Sequence, residues 1–370
     1  MDYEPTADEW QLCKPAELGM DAEGLADAIR HHRAHETGWR PDFFTGSGRY
    51  IGVADEPPAP DDVLGAVRPR GGPNGVIVRG GHIVAEWGDT RRADMTFSVA
   101  KSYLAVLAGL ALARGLIESI DDPVRRRVCD GGFDSAQNRD ITWRHLLQQT
   151  SEWQGTLWGK ADTIDHNRDV GKSELGDADK GQARPLRAPG TLWEYNDVRV
   201  NRLSLALLEV FRRPLPEVLR REVMDPIGAS PDWLWVPYDN AWVEIDGVRT
   251  PSVPGGSHWG GGLWMSTRDH ARFGLCVHQA GRWRGREIIP ASWIAEMRRP
   301  CPINPEYGLL WWLNTGRRQL PSAPESSFAA RGAGSNVIWI DPEHDLVVVV
   351  RWIDKPHIAG FVERVVASVD

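Results

Sequence analysis

The stretch Thr96-Phe97-Ser98-Val99-Ala100-Lys101-Ser102-Tyr103 carries the most informative spacing in this chain. Ser98 opens a predicted helix, Ser98–Arg114, and Lys101 follows three residues later, so their side chains share one helical face. A serine hydroxyl is a weak nucleophile until a base takes its proton, and a lysine amine can take it only while neutral. The helix is apolar on nearly every face, which predicts burial. A buried helix with serine and lysine in its first turn can form a reactive centre, although an N-cap serine beside a surface lysine gives the same pattern.

A second informative segment runs from Pro189 to Asp197, where a turn precedes a predicted helix, Val198–Phe211. Tyr195 and Asp197, two residues apart just before that helix, can point into one cleft. A tyrosine hydroxyl near a lysine cation can relay protons. The alternative is a tyrosine that only packs where two lobes meet.

The third segment, Phe328-Ala329-Ala330-Arg331-Gly332-Ala333-Gly334, lies on a predicted strand. Glycines there allow close approach of a substrate. The main-chain N–H of Ala333 could donate a hydrogen bond to an oxyanion.

Strand patterns occur near both termini and helical patterns between them. Near the N-terminus, Gly75–Arg79 and His82–Trp87 flank Gly80-Gly81, a pair suited to a tight hairpin turn. The strands predicted near the C-terminus are Ser327–Arg331, Asn336–Asp341 and Leu346–Trp352. We therefore predict an α+β fold with one five-stranded antiparallel sheet and a mainly helical lobe.

Terminal helices, Asp21–His35 and His357–Val369, are expected to cover one face of that sheet. The helices predicted between them, besides the two already given, are Trp143–Gln149, Arg268–Ala280 and Pro290–Met297. The Pro- and Gly-rich stretch 41–72 predicts no regular structure. We expect residues 1–370 to form a single unit, with a sheet lobe of about 1–97 plus 322–370 and a helical lobe of about 98–321. Active sites favour the cleft between two such lobes.

Composition excludes several classes of protein. The 370 residues are 41% apolar and 25% charged, which is too apolar for disorder. The net charge is 43 − 51 = −8, and no basic patch stands out, so nucleic acid is not an expected partner. No apolar stretch of about 18 residues is present, which argues against a membrane-spanning helix. The acidic N-terminus lacks a signal-peptide pattern, which predicts a cytoplasmic protein.

Metal and cofactor sites are not predicted. The four cysteines form no Cys-x-x-Cys pair, which argues against zinc ribbons and thioredoxin-like chemistry. His31 and His35 stand one helical turn apart, a spacing that suits a metal pair, but the sequence shows no third ligand. The Gly255–Gly262 segment lacks the Gly-Lys-Ser/Thr ending of a phosphate-binding loop. We expect no cofactor and no metal requirement.

Together and in this order, these segments resemble the Ser-x-x-Lys serine hydrolase superfamily of serine β-lactamases, penicillin-binding DD-peptidases and related esterases and amidases. The resemblance covers nearly the whole chain from about residue 21, and it is closest to the class C β-lactamase-like branch. Further stretches similar to that branch are Ile141–Ser151, Gly260–Asp269 and Ile340–Val350.

The resemblance implies a role for each motif residue. Ser98 would be the acylated nucleophile, Lys101 its base or proton shuttle, and Tyr195 the partner in proton transfer to the leaving group. The main-chain N–H groups of Ser98 and Ala333 would form the oxyanion hole. The substrate-binding residues would be Asp197, Ala330, Arg331 and Gly332.

Two positions depart from the family pattern. Asp197 replaces the asparagine of Tyr-x-Asn and could hold Lys101 protonated. The strand motif Lys-Thr-Gly or His-x-Gly reads Ala330-Arg331-Gly332, so it lacks the cation that binds the carboxylate of β-lactams. Arg331 follows that position and, by strand alternation, is expected to point to the other side.

These departures favour a carboxylesterase acting through an acyl-enzyme on a small ester or amide. The first alternative is a β-lactamase, D-amino-acid peptidase or amide hydrolase of the same family. The second is an inactive homologue that binds a ligand in the same cleft. We also expect tryptophans near the cleft, Trp153, Trp158, Trp193 and Trp259 among them, to favour apolar or aromatic substrate groups. The oligomeric state is left open.

Overall fold

The strands of the main sheet come from both ends of the chain. The computed structural model describes residues 3–7, 9–168, 170 and 179–370. Within that part, the strands are β1 (Asn74–Arg79), β2 (His82–Trp87), β3 (Asp94–Met95), β4 (Thr156–Leu157), β5 (Lys160–Ala161), β6 (Leu234–Val236), β7 (Trp242–Ile245), β8 (Val248–Pro251), β9 (Gly262–Met265), β10 (Arg282–Trp283), β11 (Arg286–Glu287), β12 (Trp312–Leu313), β13 (Phe328–Gly332), β14 (Asn336–Asp341) and β15 (Leu346–Arg351). The α-helices are α1 (Ala22–Ala34), α2 (Ala100–Ala113), α3 (Trp143–Leu147), α4 (Asp197–Phe211), α5 (Leu215–Leu219), α6 (Thr267–His278), α7 (Ala291–Met297) and α8 (Ile358–Ala367).

The main sheet is antiparallel and has the strand order β12-β13-β14-β15-β1-β2. β1 pairs with β15, and Val76 lies opposite Val349, so the N- and C-terminal strand groups meet in the middle. The predicted hairpin between β1 and β2 is present. Its turn residues Gly80 and Gly81 have φ angles of 55° and 78°, which glycine adopts at low cost.

Helices cover both faces of the sheet. On one face, α1 and α8 pack their buried side chains, among them Leu25 and Phe361, against Trp339 and Val348, which confirms the predicted role of the terminal helices. On the other face, α6 lies on β14, β15 and β1. A Cβ atom at Gly274 of α6 would lie 2.7 Å from Val347, so glycine sets the closeness of this contact.

α2 forms the centre of the helical region. Every residue from Ala100 to Ala111 is buried, as the apolar pattern predicts, and the helix packs against α4 and α5. One hydrophobic cluster joins these helices to the sheet residues Val76 and Ile338. The N-terminus of α2 therefore lies where the helices meet the sheet. Among the described residues, no helix is both long and apolar enough to cross a membrane.

The structure corrects several sequence expectations. The sheet has six strands and not five, because β12 joins its edge; a two-residue strand is too short to show alternation. The region 98–321, expected to be mainly helical, also contains β6 and β9, which with β3 form a separate three-stranded sheet. Residues Ile51–Val53, within the stretch expected to be irregular, form a 3₁₀ turn. The helices that were predicted agree with the observed ones to within two residues at each end.

Candidate active site

Ser98 lies in a tight turn that leads into α2. Residues Phe97–Val99 form a 3₁₀ turn before α2 begins at Ala100, and Ser98 is not the N-cap residue of either element. Phe97 has a φ of 50°, a conformation that costs a non-glycine residue of order 1–3 kcal/mol. Its ring packs edge-on against Trp39 and Phe43, with ring centroids 5.5 Å away in each case. This aromatic packing holds the turn that presents Ser98.

Lys101 is 1% exposed, which rules out the surface lysine considered as an alternative. Its Nζ donates to Ser98 Oγ at 2.8 Å, to the Gly255 carbonyl at 3.3 Å, and to Asp197 Oδ1. A Cβ at Gly256 would lie 3.3 Å from this Nζ and 3.5 Å from Ser98 Oγ, so a glycine there keeps the space beside Ser98 open. The three donor positions of the ammonium group are all used.

The charges of Lys101 and Asp197 stabilise one another. Burial lowers the pKa of Lys101, but attraction to Asp197 and Tyr195 outweighs it, and the net pKa is raised. Burial raises the pKa of Asp197, but Lys101, Arg168 and His258 together hold it well below its usual value. Lys101 is therefore an ammonium and Asp197 a carboxylate at neutral pH.

A buried chain of charged groups continues beyond Asp197. His258 Nδ1 donates to Asp197 Oδ2 at 2.8 Å, and its Nε2 donates to Glu56. Burial lowers the pKa of His258, but the carboxylates of Asp165, Asp197 and Glu56 outweigh this and raise it. With a carboxylate at each ring nitrogen, His258 is held as an imidazolium.

Arg168 adds a third cation to Asp197. Its Nη1 donates to Asp197 Oδ2 at 2.6 Å and to Asp165 Oδ1 at 3.2 Å. Asp165 in turn accepts from the Asp197 main-chain N–H at 2.8 Å. Glu56, Asp165, Arg168 and His258 were not identified from the sequence, because they come from three separate segments and only Asp165 and Arg168 are close in the chain.

Tyr195 lies against the cations of this cluster. Lys101 Nζ is 4.8 Å and the Arg168 guanidinium carbon 5.5 Å from the centroid of its ring. The Trp312 ring stacks on Tyr195 with an interplanar angle of 22° and a centroid separation of 5.9 Å. The structure thus brings the Ser98 and Lys101 pair together with the Tyr195 and Asp197 pair, which lies about 100 residues further along the chain.

The backbone around Tyr195 is fixed by its neighbours. Asn196 caps α4 by accepting from the Arg199 N–H at 3.1 Å, and its side-chain amide donates to the Asp162 carbonyl at 2.8 Å. The preceding Glu194 is fully buried and accepts from the Arg199 guanidinium at 3.0 Å. These bonds place Tyr195 immediately before the first turn of α4.

A cavity of about 450 Å³ opens above these residues, a size that suits a small-molecule ligand. Its lining residues include Ser98, Tyr195, Arg168, Trp39, Trp312, Gln319, Arg331, Gly332, Ala333, Ser335 and Lys355. The four tryptophans named from the sequence, Trp153, Trp158, Trp193 and Trp259, are not among them. Trp153, Trp193 and Trp259 are core residues, each at most 4% exposed.

The end of β13 runs beside the turn that carries Ser98. A Cβ at Gly332 would overlap the Thr96 carbonyl oxygen and would lie 3.1 Å from the Ser98 nitrogen. Gly332 therefore allows the strand to approach the main chain of Ser98 closely, and Ala333 follows at the cavity wall.

Ala330 and Arg331 differ from the sequence expectation. Ala330 is fully buried and packs in the core between the sheet and the helices, so its side chain does not line the cavity. Arg331, expected to point away, is a lining residue. Its Nη1 donates to Gln319 Oε1 at 2.5 Å, and its guanidinium carbon lies 6.0 Å from the centroid of the Trp312 ring. The two adjacent side chains do alternate, as strand geometry requires, but the cavity lies on the side of Arg331.

Comparisons with known proteins agree with this architecture. A carboxylesterase of family VIII has a TM-score of 0.60 at 17% identity, covering 95% of this chain and 99% of its own. A penicillin-binding protein homologue from Caulobacter crescentus has a TM-score of 0.60 at 15% identity, with 95% and 99% covered. A hydrolase with promiscuous acyltransferase activity has a TM-score of 0.59 at 17% identity, with 94% and 98% covered.

These likenesses show a β-lactamase/transpeptidase-like fold. No curated protein matches the chain. The sequence profile described as "Beta-lactamase" matches residues 74–357, which is well over half of the chain and includes each motif discussed above. The chain therefore belongs to the beta-lactamase family of hydrolases.

Proposed function

We propose that the protein is a serine hydrolase that cleaves carboxylic esters through a covalent acyl-enzyme on Ser98. The observation that carries this proposal is the 2.8 Å hydrogen bond from buried Lys101 to Ser98 Oγ in the wall of a cavity of about 450 Å³. Solved structures with the same fold include a carboxylesterase and a hydrolase with acyltransferase activity.

Tyr195 is the proposed proton acceptor, and Lys101 is its electrostatic partner. Because Asp197 keeps Lys101 charged, the ammonium acts as a hydrogen-bond donor to Ser98 Oγ and does not itself take the proton. In the proposed step Tyr195 reacts as a phenolate, the form that the neighbouring cations Lys101 and Arg168 favour, and becomes a phenol by accepting the serine proton as Oγ attacks the carbonyl carbon. It returns that proton to the leaving alkoxide, so the alcohol departs neutral and the acyl group remains on Ser98. Water then attacks the acyl carbonyl carbon and gives a proton to Tyr195, and Tyr195 returns that proton to the departing Ser98 Oγ. This step releases the acid and restores the serine.

The proposed oxyanion hole consists of the main-chain N–H groups of Ser98 and Ala333. Gly332 supports this arrangement, since it brings the end of β13 against the Ser98 turn. Loss of one such donor typically costs about 3 kcal/mol of transition-state stabilisation.

Labelling with a fluorophosphonate tests the nucleophile. Intact mass should show one adduct per chain in the unaltered protein and none in Ser98→Ala. Ser335→Ala is the matched control, because Ser335 also lines the cavity, and this variant should label normally. An adduct that persists in Ser98→Ala contradicts the proposal, and an unaltered protein that never labels favours the inactive ligand-binding homologue.

A second candidate is hydrolysis of carboxylate-bearing esters or amides, such as β-lactams or D-amino-acid peptides. Arg331 favours it, because this residue lines the cavity and carries a guanidinium that could bind an anionic group. We retain the neutral ester as the first proposal because Arg331 already donates to Gln319, and Gln319 is in turn bonded to Glu306. A charge-assisted bond to a carboxylate contributes about 1.5–3 kcal/mol, or roughly tenfold to a hundredfold in kcat/KM.

A matched pair of substrates separates the two candidates. One short-chain ester is compared with its analogue that carries a carboxylate, in the unaltered protein and in Arg331→Gln. We expect the neutral ester to be the better substrate and its kcat/KM to change less than about threefold in the variant. A preference for the carboxylate analogue that disappears in Arg331→Gln would establish the second candidate instead.

A further inference from the structure

Three histidines from the two ends of the chain meet on the outer side of the sheet lobe. His31 and His35 are one turn apart on α1, with ring centroids 4.4 Å apart. His357, the N-cap residue of α8, lies with its ring centroid 3.7 Å from that of His35 and 5.8 Å from that of His31. One nitrogen from each ring lies within 4.8 Å of one nitrogen from each of the others, and all three residues are half-buried.

Main-chain carbonyls fix the tautomers of two of these rings. The His31 Nε2–H donates to the His357 carbonyl at 3.1 Å, and the His35 Nδ1–H donates to the His31 carbonyl at 2.8 Å. A carbonyl can only accept, so in the neutral rings the lone pairs are at His31 Nδ1 and His35 Nε2. Metal-ligating histidines characteristically donate their other N–H to such an acceptor.

The packing leaves room for this cluster. A Cβ at Gly360 of α8 would lie 3.2 Å from the His31 ring. Glycine inside a helix lowers stability by about 0.5–1 kcal/mol relative to alanine. Here it allows the His31 ring to pack closely against α8. Among the described residues, no side-chain hydrogen bond holds the His357 ring. That ring is stacked on His35 at 20°, so turning it about its Cβ–Cγ bond would direct a nitrogen toward an ion shared with the α1 pair.

We propose that His31, His35 and His357 bind one divalent transition-metal ion of the zinc class, which joins α1 to the start of α8. Three imidazole nitrogens and one water complete a tetrahedral set that suits Zn²⁺, whereas Ca²⁺ and Mg²⁺ prefer oxygen ligands. The i, i+4 pair was visible in the sequence, but its third ligand comes from the opposite end of the chain.

A second cluster, Glu56, Asp165 and His258, carries no such proposal. Both nitrogens of His258 already face carboxylates. Arg168 forms an ion pair with Asp165, and Lys180 forms one with Glu56. A divalent ion there would meet charges that are already neutralised.

Zinc titration of the chelator-stripped, untagged protein tests the proposal. Calorimetry should show one site, and saturating Zn²⁺ should raise the Tm by about 2 °C or more. His35→Gln and His357→Gln should each weaken binding about tenfold or more and reduce the Tm rise at the same Zn²⁺ concentration, while far-UV circular dichroism shows that both variants are folded. His344→Gln, which alters a histidine of the β14–β15 turn, is the matched control and should bind as the unaltered protein does.

Cobalt distinguishes histidine ligands from the cysteine thiols that are not buried, Cys13 and Cys129. A Co²⁺ complex of three imidazoles shows visible d–d bands without the near-ultraviolet thiolate charge-transfer band. The proposal is overturned if no site is found, if His35→Gln and His357→Gln bind zinc as tightly as the unaltered protein, or if the thiolate band accompanies binding.

Discussion

Asp197 carries a charge where the Tyr-x-Asn motif has a neutral amide, and that charge changes the electrostatics around Ser98. It contacts three cationic side chains: Lys101, Arg168 and His258. An asparagine would leave the buried cations Lys101 and His258 with less compensation, and an unpaired buried charge typically costs 3–5 kcal/mol. Asp197 and these partners are best understood as one unit.

The sequence predicted only part of that unit. Ser98 and Lys101 share a helical turn, and Tyr195 and Asp197 stand two residues apart, so spacing alone indicated them. Glu56 and His258 lie 202 residues apart on irregular segments. Their contact depends on how the loops fold over the helices, which no local pattern encodes.

His258 should make stability depend on pH. Its folded-state pKa is raised above the unfolded value of about 6.5, so its stabilising effect is fully present below that pH and is lost as pH rises through the folded-state pKa. We therefore expect the Tm difference between the unaltered protein and His258→Gln to be largest near about pH 6 and to shrink as the pH is raised. Differential scanning calorimetry across this range measures it.

The difference in Tm between the unaltered protein and His258→Gln reports on His258 alone and not on the other buried histidines. Burial lowers the pKa of His32 to about 4 and that of His270 well below its usual value, but both residues are present in each protein. A Tm difference that grows with rising pH would show that His258 is neutral in the folded state.

At the scale of elements, the predicted helices were reliable where apolar residues repeat over several turns, as in α2. β12 was missed because two residues carry no alternation, although its Trp312 stacks on Tyr195. The contact between β13 and the Ser98 turn was likewise not predictable, because it depends on tertiary approach. Only the presence of glycine at position 332 indicated it.

Gly332→Ala should lower kcat strongly and lower the free energy of unfolding only modestly. The added methyl group overlaps the Thr96 carbonyl and forces β13 and the Ser98 turn apart. A displacement of about 1 Å at reacting groups can cost about a hundredfold in rate, whereas overpacking costs about 1–3 kcal/mol of stability. We expect kcat to fall at least about tenfold, with the variant still folded at 25 °C as shown by circular dichroism.

Gly72→Ala is the matched control, because no atom lies within 4 Å of a Cβ at that position. It should change neither kcat nor Tm. Equal kcat values for Gly332→Ala and Gly72→Ala would show that the spacing between β13 and the Ser98 turn does not govern the reaction.

At the scale of the whole molecule, α1 and α8, which come from opposite ends of the chain, pack together on one face of the main sheet. The sequence indicated this arrangement, because strand patterns occur near both termini and helical patterns lie between them. It did not indicate that α6, from the expected helical lobe, packs on the main sheet. Which face a helix buries is visible in its sequence, but which partner it meets is not.

The protein should unfold as one cooperative unit. One hydrophobic cluster includes Val349 of β15 and Leu207 of α4, so one face of the sheet shares its core with the helices, and a second cluster lies between the other face and α1 and α8. Leu207→Ala should cost about 2–5 kcal/mol, and Val349→Ala about 1.5–3 kcal/mol. In denaturant, tryptophan fluorescence and far-UV circular dichroism should give coincident transitions for the unaltered protein and both variants, each variant shifted to lower denaturant as a whole. A two-step curve in which Leu207→Ala moves only one step would instead show that the helices and the sheet unfold independently, and the active site between them would then be lost when the first of the two unfolds.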